Sequence, residues 1–372
     1  MKIALVHDWL ETYAGAEKVL EQLILLYPNA DLFALVDFIP PQKRAFLHGR
    51  KVRTSFIQHM PFARRYFRYY LPLFPLAMWL LNLRAYDLII SDSHCMAKNV
   101  CVQHGQRHVC YCHSPIRYAW DMMDTYLQQT NLSRGVQGWL IGRVMAFLRW
   151  WDKRGSAGVD VFVANSHFVA QRIMRCYERE AVVIHPPVAV DDFKVGTKRE
   201  DFYLIASRMV PYKKMDLIVQ AFALMPKRKL IVMGDGPEMG RVKMAAEGYE
   251  NINILGYQPF EVLKDHLQRC KAFVFAAKED FGIIPVEAMA CGAPVIAYGE
   301  GGVLDSVVPL GEPNPTGVFY PTQTIEALCE AVDTFESHIL DFHPHICRER
   351  AEMFVTDVFL RHIRDIMSHQ HA

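Results

Sequence analysis

The sequence predicts an α/β protein made of two doubly wound, Rossmann-like domains. Short apolar runs typical of buried strands alternate with amphipathic helix patterns, and the alternation starts again after the rigid pair Pro186-Pro187. The chain has 372 residues, whereas a single hydrophobic core stops growing near ~250–300 residues. We therefore expect domains over residues 1–186 and 187–352, with a ligand cleft between the carboxyl edges of the two sheets.

Strands and helices can be placed from these patterns. Helix patterns cover residues 16–27 and 166–177 in the first domain and 215–225 in the second. The predicted strands of the first domain are residues 3–7, 87–91, 109–112, 159–164 and 182–185. Those of the second domain are residues 202–206, 229–233, 252–255, 272–275 and 294–297.

The charges are divided unevenly between the two halves. The net charge is +1, but the part through His185 has 22 Lys and Arg against 14 Asp and Glu, and the rest has 19 against 26. The first half is thus near +8 and the second near −7, so the first half is the better candidate for contact with an anionic acceptor or membrane surface. Nucleic acid is not among the expected partners.

A cationic and aromatic cluster precedes an apolar run within residues 55–83. The cluster, residues 64–70, contains three arginines and four aromatic residues, and the run at 71–83 has thirteen residues with two prolines. That run is shorter than the ~20 residues needed to span a bilayer, so it is not a transmembrane helix. Two interpretations stay open: a buried helix of the first domain, or a surface that touches lipid headgroups.

The first residues and the cysteines indicate the compartment. The chain opens on a short strand pattern rather than a charged and then apolar signal segment. Its nine cysteines lack the spacing of a disulfide framework, which is typical of reduced thiols. We expect a cytoplasmic protein that can lie peripherally on the inner face of the cytoplasmic membrane.

Two glutamates flank a predicted helix start in the second half. Pro285 suits the first position of a helix and Gly292 its end, so Glu287 is expected in the first turn and Glu279 on the loop before it. The free N–H groups at such a helix start bind phosphate, and carboxylates accept hydrogen bonds from hydroxyls. The pair therefore favours a sugar attached to a nucleotide as ligand, although an acid at Glu287 alone is common for dipole reasons.

A second cluster supplies positive charge. Arg208 and Lys213 follow the predicted strand at 202–206, at the carboxyl edge where open α/β sheets bind ligands. A basic turn is usually only solvated. Its place after a buried strand, in an acidic half, favours a role in neutralising a leaving diphosphate.

These motifs together resemble the retaining GT-B glycosyltransferases of family 4. Arg208 and Lys213, the segment 234–238 (Gly-Asp-Gly-Pro-Glu) and the Glu279/Glu287 pair match the donor half. The first half resembles the family at residues 6–18, 112–121 and 164–168, most of all the bacterial mannosyltransferases that build O-antigen and exopolysaccharide on lipid carriers. The resemblance covers nearly the whole chain. Two positions differ from the family pattern: Lys214 and Ala14 stand where glycines are common.

The resemblance implies a fold, a reaction and a set of site residues. It implies GT-B architecture with a last helix, at about 353–372, that crosses back to the first domain. It implies transfer of mannose from GDP-mannose to a glycan or a polyprenyl-diphosphate-linked saccharide, as in lipopolysaccharide O-antigen synthesis, with retention and without a metal or other cofactor. The implied catalytic residues are Arg208, Lys213, Glu279 and His113. The implied donor-binding residues are Gly15, Tyr257, Phe281, Gly282, Ile283, Ile284 and Glu287.

Alternative functions were weighed on the same residues. A zinc site formed by the histidines and cysteines of 104–113 is disfavoured, because Cys110 and Cys112 share one face of a strand while His113 points to the other. A sugar-nucleotide epimerase or a phosphorylase could use the same two-domain architecture. A two-lobed sugar-binding protein without catalysis would have no use for Arg208, Lys213 and two acids around one cleft.

Overall fold

The structure is a computed structural model that describes residues 1–120 and 135–368. Residue contacts divide it into two compact units. Unit 1 comprises Met1–His185 and the chain from His362 onward, and unit 2 comprises Pro186–Arg361. Of the segment 112–121 used in the sequence analysis, Asp121 lies outside the described residues, as do positions 369–372 of the last helix.

Unit 1 is built on a parallel sheet of seven strands among its described residues. The spatial order of the strands is β3-β2-β1-β4-β5-β6-β7. The strands are β1 (Ile3–His7), β2 (Asp31–Ala34), β3 (Val52–Thr54), β4 (Leu88–Ser93), β5 (Arg107–Cys112), β6 (Val161–Ala164) and β7 (Ala181–Val183).

Unit 2 is built on a parallel sheet of six strands, in the order β10-β9-β8-β11-β12-β13. Its strands are β8 (Phe202–Ala206), β9 (Lys229–Met233), β10 (Ile252–Gly256), β11 (Ala272–Phe275), β12 (Val295–Tyr298) and β13 (Gly317–Tyr320). Along β8, Phe202 and Leu204 pack into one buried cluster and Tyr203 and Ile205 into another. Both faces of this sheet are therefore covered, as expected for a doubly wound fold.

Helices connect the strands. In unit 1 they are α1 (Gly15–Leu26), α2 (Ala63–Tyr66), α3 (Phe74–Trp79), α4 (Arg117–Trp120), α5 (Gly135–Ser156) and α6 (His167–Tyr177). In unit 2 they are α7 (Met215–Ala223), α8 (Met239–Ala246), α9 (Phe260–Arg269), α10 (Ile283–Ala290), α11 (Val303–Ser306), α12 (Ile325–Ser337) and α13 (Pro344–Glu352). The last helix, α14 (Thr356–Ser368), begins in unit 2 and ends in unit 1. Among the described helices, none has the length and apolar character that a bilayer span requires.

Each sheet has one point where the strand order reverses. In unit 1 the chain runs outward from β1 in one direction and from β4 in the other, and in unit 2 it does so from β8 and β11. Loops that leave neighbouring strands at such a switch point diverge to opposite faces and open a crevice at the carboxyl edge. The residues that follow β1 and β4, and those that follow β8 and β11, are therefore the first places to look for sites.

The predicted fold is confirmed. All ten predicted strands are present, with shifts of one or two residues at nine of their twenty ends, whereas β2, β3 and β13 were not predicted. In β3, the charged Arg53 lies at the centre of only three residues, so this strand gives no apolar run.

Candidate active site

The loop that carries Arg208 is shaped by two glycines of a neighbouring loop. A Cβ atom at Gly234 would overlap the carbonyl oxygen of Ser207, and one at Gly236 would overlap that of Met209. The Met209 N–H also donates to the Asp235 carbonyl at 2.9 Å. The Gly-Asp-Gly motif after β9 thus lets the backbone at 234–236 press against both neighbours of Arg208 and fixes that turn at the sheet edge.

Lys213 lies in contact with Glu279. Lys213 ends a 3₁₀ turn that follows β8, Glu279 lies on the loop after β11, and the Lys213 Nζ contacts Glu279 Oε1. Both side chains are mostly buried, at 14% and 17% exposure. The next residue, Lys214, is exposed and has a φ of +53°, in the left-handed region that favours glycine. The structure therefore brings Lys213, and not Lys214, to the acid at the switch point of unit 2.

The helix after Glu279 begins two residues earlier than the sequence suggested. α10 starts at Ile283, with Gly282 as N-cap at a φ of +86°, so Pro285 is its third residue and not its first. Proline is tolerated there because the first-turn N–H groups have no partner within the helix. Glu287 is consequently the fifth residue, buried at 8% exposure, and its predicted place in the first turn was wrong.

The start of α10 offers backbone donors at the sheet edge. Phe281 is buried and packs edge-on against Phe354, which fixes the loop from the inside. Gly282 is the N-cap residue, and a Cβ atom added to it would lie 3.4 Å from the ring of Phe275. Ile283 and Ile284 lie in the first turn of the helix, where the N–H groups have no acceptor within the helix. These N–H groups can therefore donate hydrogen bonds to an anion.

A glycine pair that sequence reasoning missed supports this loop. Gly301, with a φ of +93°, lies so close to the Glu279 carbonyl that a side chain would overlap it, and Gly302 is equally close to the Asp280 carbonyl. The Gly302 N–H donates to the Glu279 carbonyl at 2.8 Å. The only sequence signal was two adjacent glycines that follow the apolar strand β12 after Gly299 and Glu300.

Tyr257 follows β10 at the same edge of the sheet. Gly256 has a φ of +69° and its carbonyl accepts the Gly234 N–H at 2.8 Å, which ties this turn to the loop beside Arg208. Tyr257 is 78% exposed, and the neighbouring Gln258 amide donates to the Leu255 carbonyl at 2.7 Å. The tyrosine ring is thus open to a ligand, while the Gln258 NH₂ group is held by the backbone.

His113 and Gly15 belong to unit 1. Gly15 is the first residue of α1, and the preceding N–H, that of Ala14, donates to Glu17 Oε2 at 2.9 Å. His113 follows β5; its Nε2 lies 2.6 Å from Asp92 Oδ1. The structure thus brings Lys213 and Glu279 into direct side-chain contact in unit 2, whereas His113 pairs with Asp92 in unit 1.

Four charged residues near His113 were not found from the sequence. Asp92 also bonds His7 Nδ1 at 2.8 Å, and His7 Nε2 lies 3.6 Å from Glu17 Oε1. Next to them, the carboxylate of Asp8 accepts four backbone N–H groups, those of residues 94–97, and so closes the turn after β4. The available signal was the polar pair at the end of each of two apolar strands, β1 and β4.

The residues weighed for a zinc site have other contacts. His108 Nε2 lies 2.8 Å from Ser91 Oγ and its Nδ1 lies 3.0 Å from the Gly158 carbonyl. Burial lowers the pKa of His108 to about 4 despite that carbonyl and the charge of Asp160. Cys110 and Cys112 lie buried on β5 in the core. His108 and His113 thus each have a different partner, in Ser91 and Asp92.

Unit 1 also carries two exposed aromatic and basic surfaces. The first, called the 62–80 surface, faces solvent through residues that flank a buried side formed by Phe67, Phe74 and Met78. Its exposed members are Phe62, Arg64, Arg65, Tyr66, Tyr69, Trp79 and Leu80. Arg68 is held by Glu11 through Nη2–Oε2 at 2.5 Å, so it contributes less free charge than the sequence cluster suggested. The buried interpretation thus holds for one side of the segment, the other side is exposed, and contact of that side with lipid headgroups stays a prediction.

The second surface is a stripe along α5. Leu148 packs into the same core as Phe67 and Phe74. Asp152, also buried, bonds Lys98 Nζ at 2.5 Å and the Tyr177 hydroxyl at 2.7 Å. These contacts turn the opposite face of the helix outward. The exposed residues of that face, the α5 stripe, are Trp139, Arg143, Phe147, Trp150 and Arg154.

Family models match two consecutive parts of the chain. The model for Glycosyltransferase Family 4 matches residues 15–192, which include Gly15 and His113. The model for Glycosyl transferases group 1 matches residues 189–352, which include Arg208, Lys213 and Glu279.

Curated relatives are similar over part of their length. An exopolysaccharide phosphotransferase of Streptomyces coelicolor is 26% identical over 172 residues, 43% of this chain and 18% of the relative. A GDP-mannose-dependent monoacylated alpha-(1-6)-phosphatidylinositol monomannoside mannosyltransferase of Corynebacterium glutamicum is 26% identical over 201 residues, 46% of this chain and 51% of the relative. The chain thus spans about half, or less, of the length of these two relatives.

Solved structures are similar over essentially the whole chain. HepE of Anabaena, in complex with UDP, has a TM-score of 0.69 at 20% identity and covers 100% of both chains. Sucrose-phosphate synthase from Thermosynechococcus elongatus has a TM-score of 0.73 at 17% identity, over 99% of this chain and 98% of that one. At these identities the likeness shows the fold.

Proposed function

We propose that the chain, whose consecutive parts match the Glycosyltransferase Family 4 and Glycosyl transferases group 1 models, is a glycosyltransferase that transfers mannose from GDP-mannose to a hydroxyl with retention of configuration. The observation that carries this proposal is the contact between Lys213 and Glu279 at the switch point of unit 2. It places a cation and a carboxylate where the loops after β8 and β11 diverge, beside the start of α10.

The contact suits a nucleoside diphosphate sugar. An ammonium group has three donors and a carboxylate has two oxygens, so the pair keeps hydrogen-bonding capacity on both sides. Lys213 and Arg208 would stabilise the negative charge that builds on the departing diphosphate, together with the N–H groups of residues 281–284. Glu279 would accept hydrogen bonds from the sugar hydroxyls, Glu287 would hold the ribose, and Tyr257 would lie against the base.

Retention follows from front-face attack in this proposal. The anomeric carbon loses its bond to the diphosphate oxygen and gains one to the acceptor hydroxyl oxygen on the same face, and the hydroxyl proton passes to the departing diphosphate oxygen. The protein cations Arg208 and Lys213 would serve the leaving group, so we expect no metal requirement. His113 would contact the donor sugar, as the resemblance to family 4 implies.

The choice of GDP-mannose rests on two observations. The segment at 113–121 resembles bacterial mannosyltransferases, and one of the partial relatives is named as GDP-mannose-dependent. A site built for the polar edge of guanine should reject a base that lacks it. Calorimetry with GDP and UDP, followed by nucleotide-release assays with a panel of nucleotide sugars, tests the assignment. Tighter binding of UDP than of GDP would overturn the assignment of guanine as the base. Nucleotide release only with nucleotide sugars other than GDP-mannose would overturn the assignment of mannose.

The proposed acceptor is a glycan or a polyprenyl-diphosphate-linked saccharide, as in the synthesis of O-antigen and other polysaccharides. Such an acceptor lies at a membrane, and the 62–80 surface and the α5 stripe both suit contact with anionic lipid there. Aromatic side chains favour the headgroup region, and each arginine near an anionic bilayer contributes about 1 kcal/mol. Both surfaces flank the same core of unit 1. We therefore propose a cytoplasmic enzyme in peripheral contact with the membrane.

A further inference from the structure

Four side chains form a continuous line from His113 to the start of α1. His113 Nε2 lies 2.6 Å from Asp92 Oδ1, and Asp92 Oδ2 lies 2.8 Å from His7 Nδ1. His7 Nε2 lies 3.6 Å from Glu17 Oε1, and Glu17 Oε2 accepts the Ala14 N–H at 2.9 Å. This His113–Glu17 chain joins the loop after β5 to the loop after β1.

The His113–Glu17 chain lies at the switch point of the first sheet. His7 and Asp92 are paired in the register between β1 and β4, the two strands from which the order reverses. His7 is 0% exposed and Asp92 is 1% exposed, whereas the His113 side chain is 11% exposed. The buried members therefore do not face solvent, and His113 is the end of the His113–Glu17 chain that is partly exposed to solvent.

Geometry and charge fix where the protons lie. An ionised carboxylate only accepts, so both ring nitrogens that contact Asp92 carry hydrogen. Burial opposes charge on His7, but the hydrogen bond to Asp92 and the nearby charges of Asp92 and Glu17 outweigh it and raise the pKa of His7 to about 10. Burial likewise opposes charge on Asp92, but His113 and His7 outweigh it and lower the pKa of Asp92 to about 2. His7 is thus a cation, and Asp92 an anion, throughout the neutral range.

We propose that Asp92 is a positioning residue for the transfer reaction: it accepts the hydrogen on His113 Nε2, so that in the neutral form of the ring Nδ1 is the nitrogen left to accept a hydrogen bond from a hydroxyl of the donor sugar. His7 keeps Asp92 ionised, and Glu17 places a second carboxylate beside His7 while its Oε2 accepts the Ala14 N–H before Gly15. This inference rests on the proposed function, because it assigns a tautomer and a direction of hydrogen bonding to a residue of that site.

The tautomer can be measured without any substrate. We would label the histidines of the full chain with ¹⁵N and record ring-nitrogen spectra near pH 8, using His113→Gln and His7→Gln to assign the two signals. The proposal requires that His113 carries hydrogen on Nε2 only and that His7 carries hydrogen on both nitrogens. A His113 protonated on Nδ1, or a neutral His7, overturns it. This arm succeeds or fails whether or not the protein turns over GDP-mannose, and it needs no folded Asp92 variant.

Kinetics then test the positioning role. Asp92→Asn keeps the shape but lets the amide donate to His113, so the ring is no longer held in one tautomer. We expect kcat for donor consumption to fall by about 10- to 100-fold with KM for the donor within about twofold, the size of loss typical of misplaced groups. The matched control is His108→Gln, which removes a buried histidine on β5 that bonds Ser91 and Gly158 outside the His113–Glu17 chain.

The outcomes separate the possibilities. An unchanged kcat in Asp92→Asn, or an equal loss in His108→Gln, would make the buried acid merely structural and overturn the positioning role. A restored kcat in Asp92→Glu relative to Asp92→Asn would support it, because a second carboxylate again accepts only. If the wild-type protein consumes no nucleotide sugar while His113 shows the Nε2–H form, the proposed function fails and the tautomer assignment stands.

Discussion

Lys213 and Glu279 come from loops that follow the two innermost strands of the second sheet, β8 and β11, and their side chains meet there. The strands run side by side, with Phe273 opposite Leu204 in register. The loops after them leave the edge in different directions, and at this point opposite charges 66 positions apart in sequence meet. In the proposed function, this is where an anionic ligand with hydroxyl groups replaces or shares both partners.

Glu279 and Glu287 should have separable effects. Replacing Glu279 with Ala removes the acceptor for the sugar hydroxyls and should lower turnover by about 10- to 100-fold, the range of one lost hydrogen bond to a charged group. Glu287→Ala should mainly weaken nucleotide binding, because Glu287 lies deeper, in the second turn of α10. Steady-state kinetics and calorimetry with the nucleoside diphosphate measure the two effects, and melting curves report whether the fold survives. Near-normal turnover in Glu279→Ala would remove that residue from the site.

Lys213 and Lys214 are adjacent, but substituting them should have different effects on activity. Lys213→Ala removes a cation beside the leaving group and should lower kcat by on the order of 100-fold. Lys214→Gly should leave kcat unchanged and stabilise the protein by about 1 kcal/mol, because it relieves the left-handed backbone of an exposed residue. Kinetics and thermal melting of both variants check this. A large loss of activity in Lys214→Gly would move the phosphate contact to Lys214.

Most of the fold could be predicted from the sequence because buried strands give short continuous apolar runs that alternate with helix patterns. The edges of β8, β9 and β11 were placed to the residue, whereas the three-residue β3 with its central arginine was not. Helix starts depended on caps. Pro285 suggested the first position of α10, but Gly282 provides the cap, since its positive φ lets the chain enter the helix earlier.

The parts of the site that escaped prediction depend on contacts distant in sequence. Nothing local to Asp92 shows that it will pair with His7, because the two positions meet only through the register of β1 and β4. The same holds for Gly301, whose role comes from the backbone of Glu279 against which it packs. The loop and helix start at 281–284 could be proposed from the sequence because the signals there, a glycine and a proline, are local.

Membrane binding should depend on charge and on the α5 stripe. The protein should sediment with vesicles that contain anionic lipid and should be released by salt, which screens exposed charges. Arg64→Glu with Arg65→Glu, or Trp139→Ala with Trp150→Ala, should each weaken sedimentation by at least about tenfold, since each double change removes roughly 1.4 kcal/mol or more. Equal binding to neutral vesicles would contradict an electrostatic surface.

A control for membrane binding is available in unit 2. Lys243 is exposed on α8, so Lys243→Glu changes the net charge without touching either surface. It should leave sedimentation unchanged. A loss equal to that of the arginine variants would show that the total charge, and not the 62–80 surface, governs binding.

The buried cation of His7 should make stability depend on alkaline pH. Its folded pKa of about 10 lies above its ordinary value of 6.5, so its contribution is fully present below pH 6.5 and is lost as the pH rises through about 10. The melting temperature of His7→Gln should therefore lie several degrees below the wild type at pH 6.5, and that gap should shrink towards pH 10, at about 2–4 °C for each kcal/mol. His108→Gln serves as control, because the pKa of His108 lies at about 4 and the group is neutral across this range. The difference in melting temperature between His108→Gln and the wild type should stay constant from pH 6.5 to 10. If the difference for His7→Gln is equally constant, His7 is not held as a cation by Asp92 and Glu17.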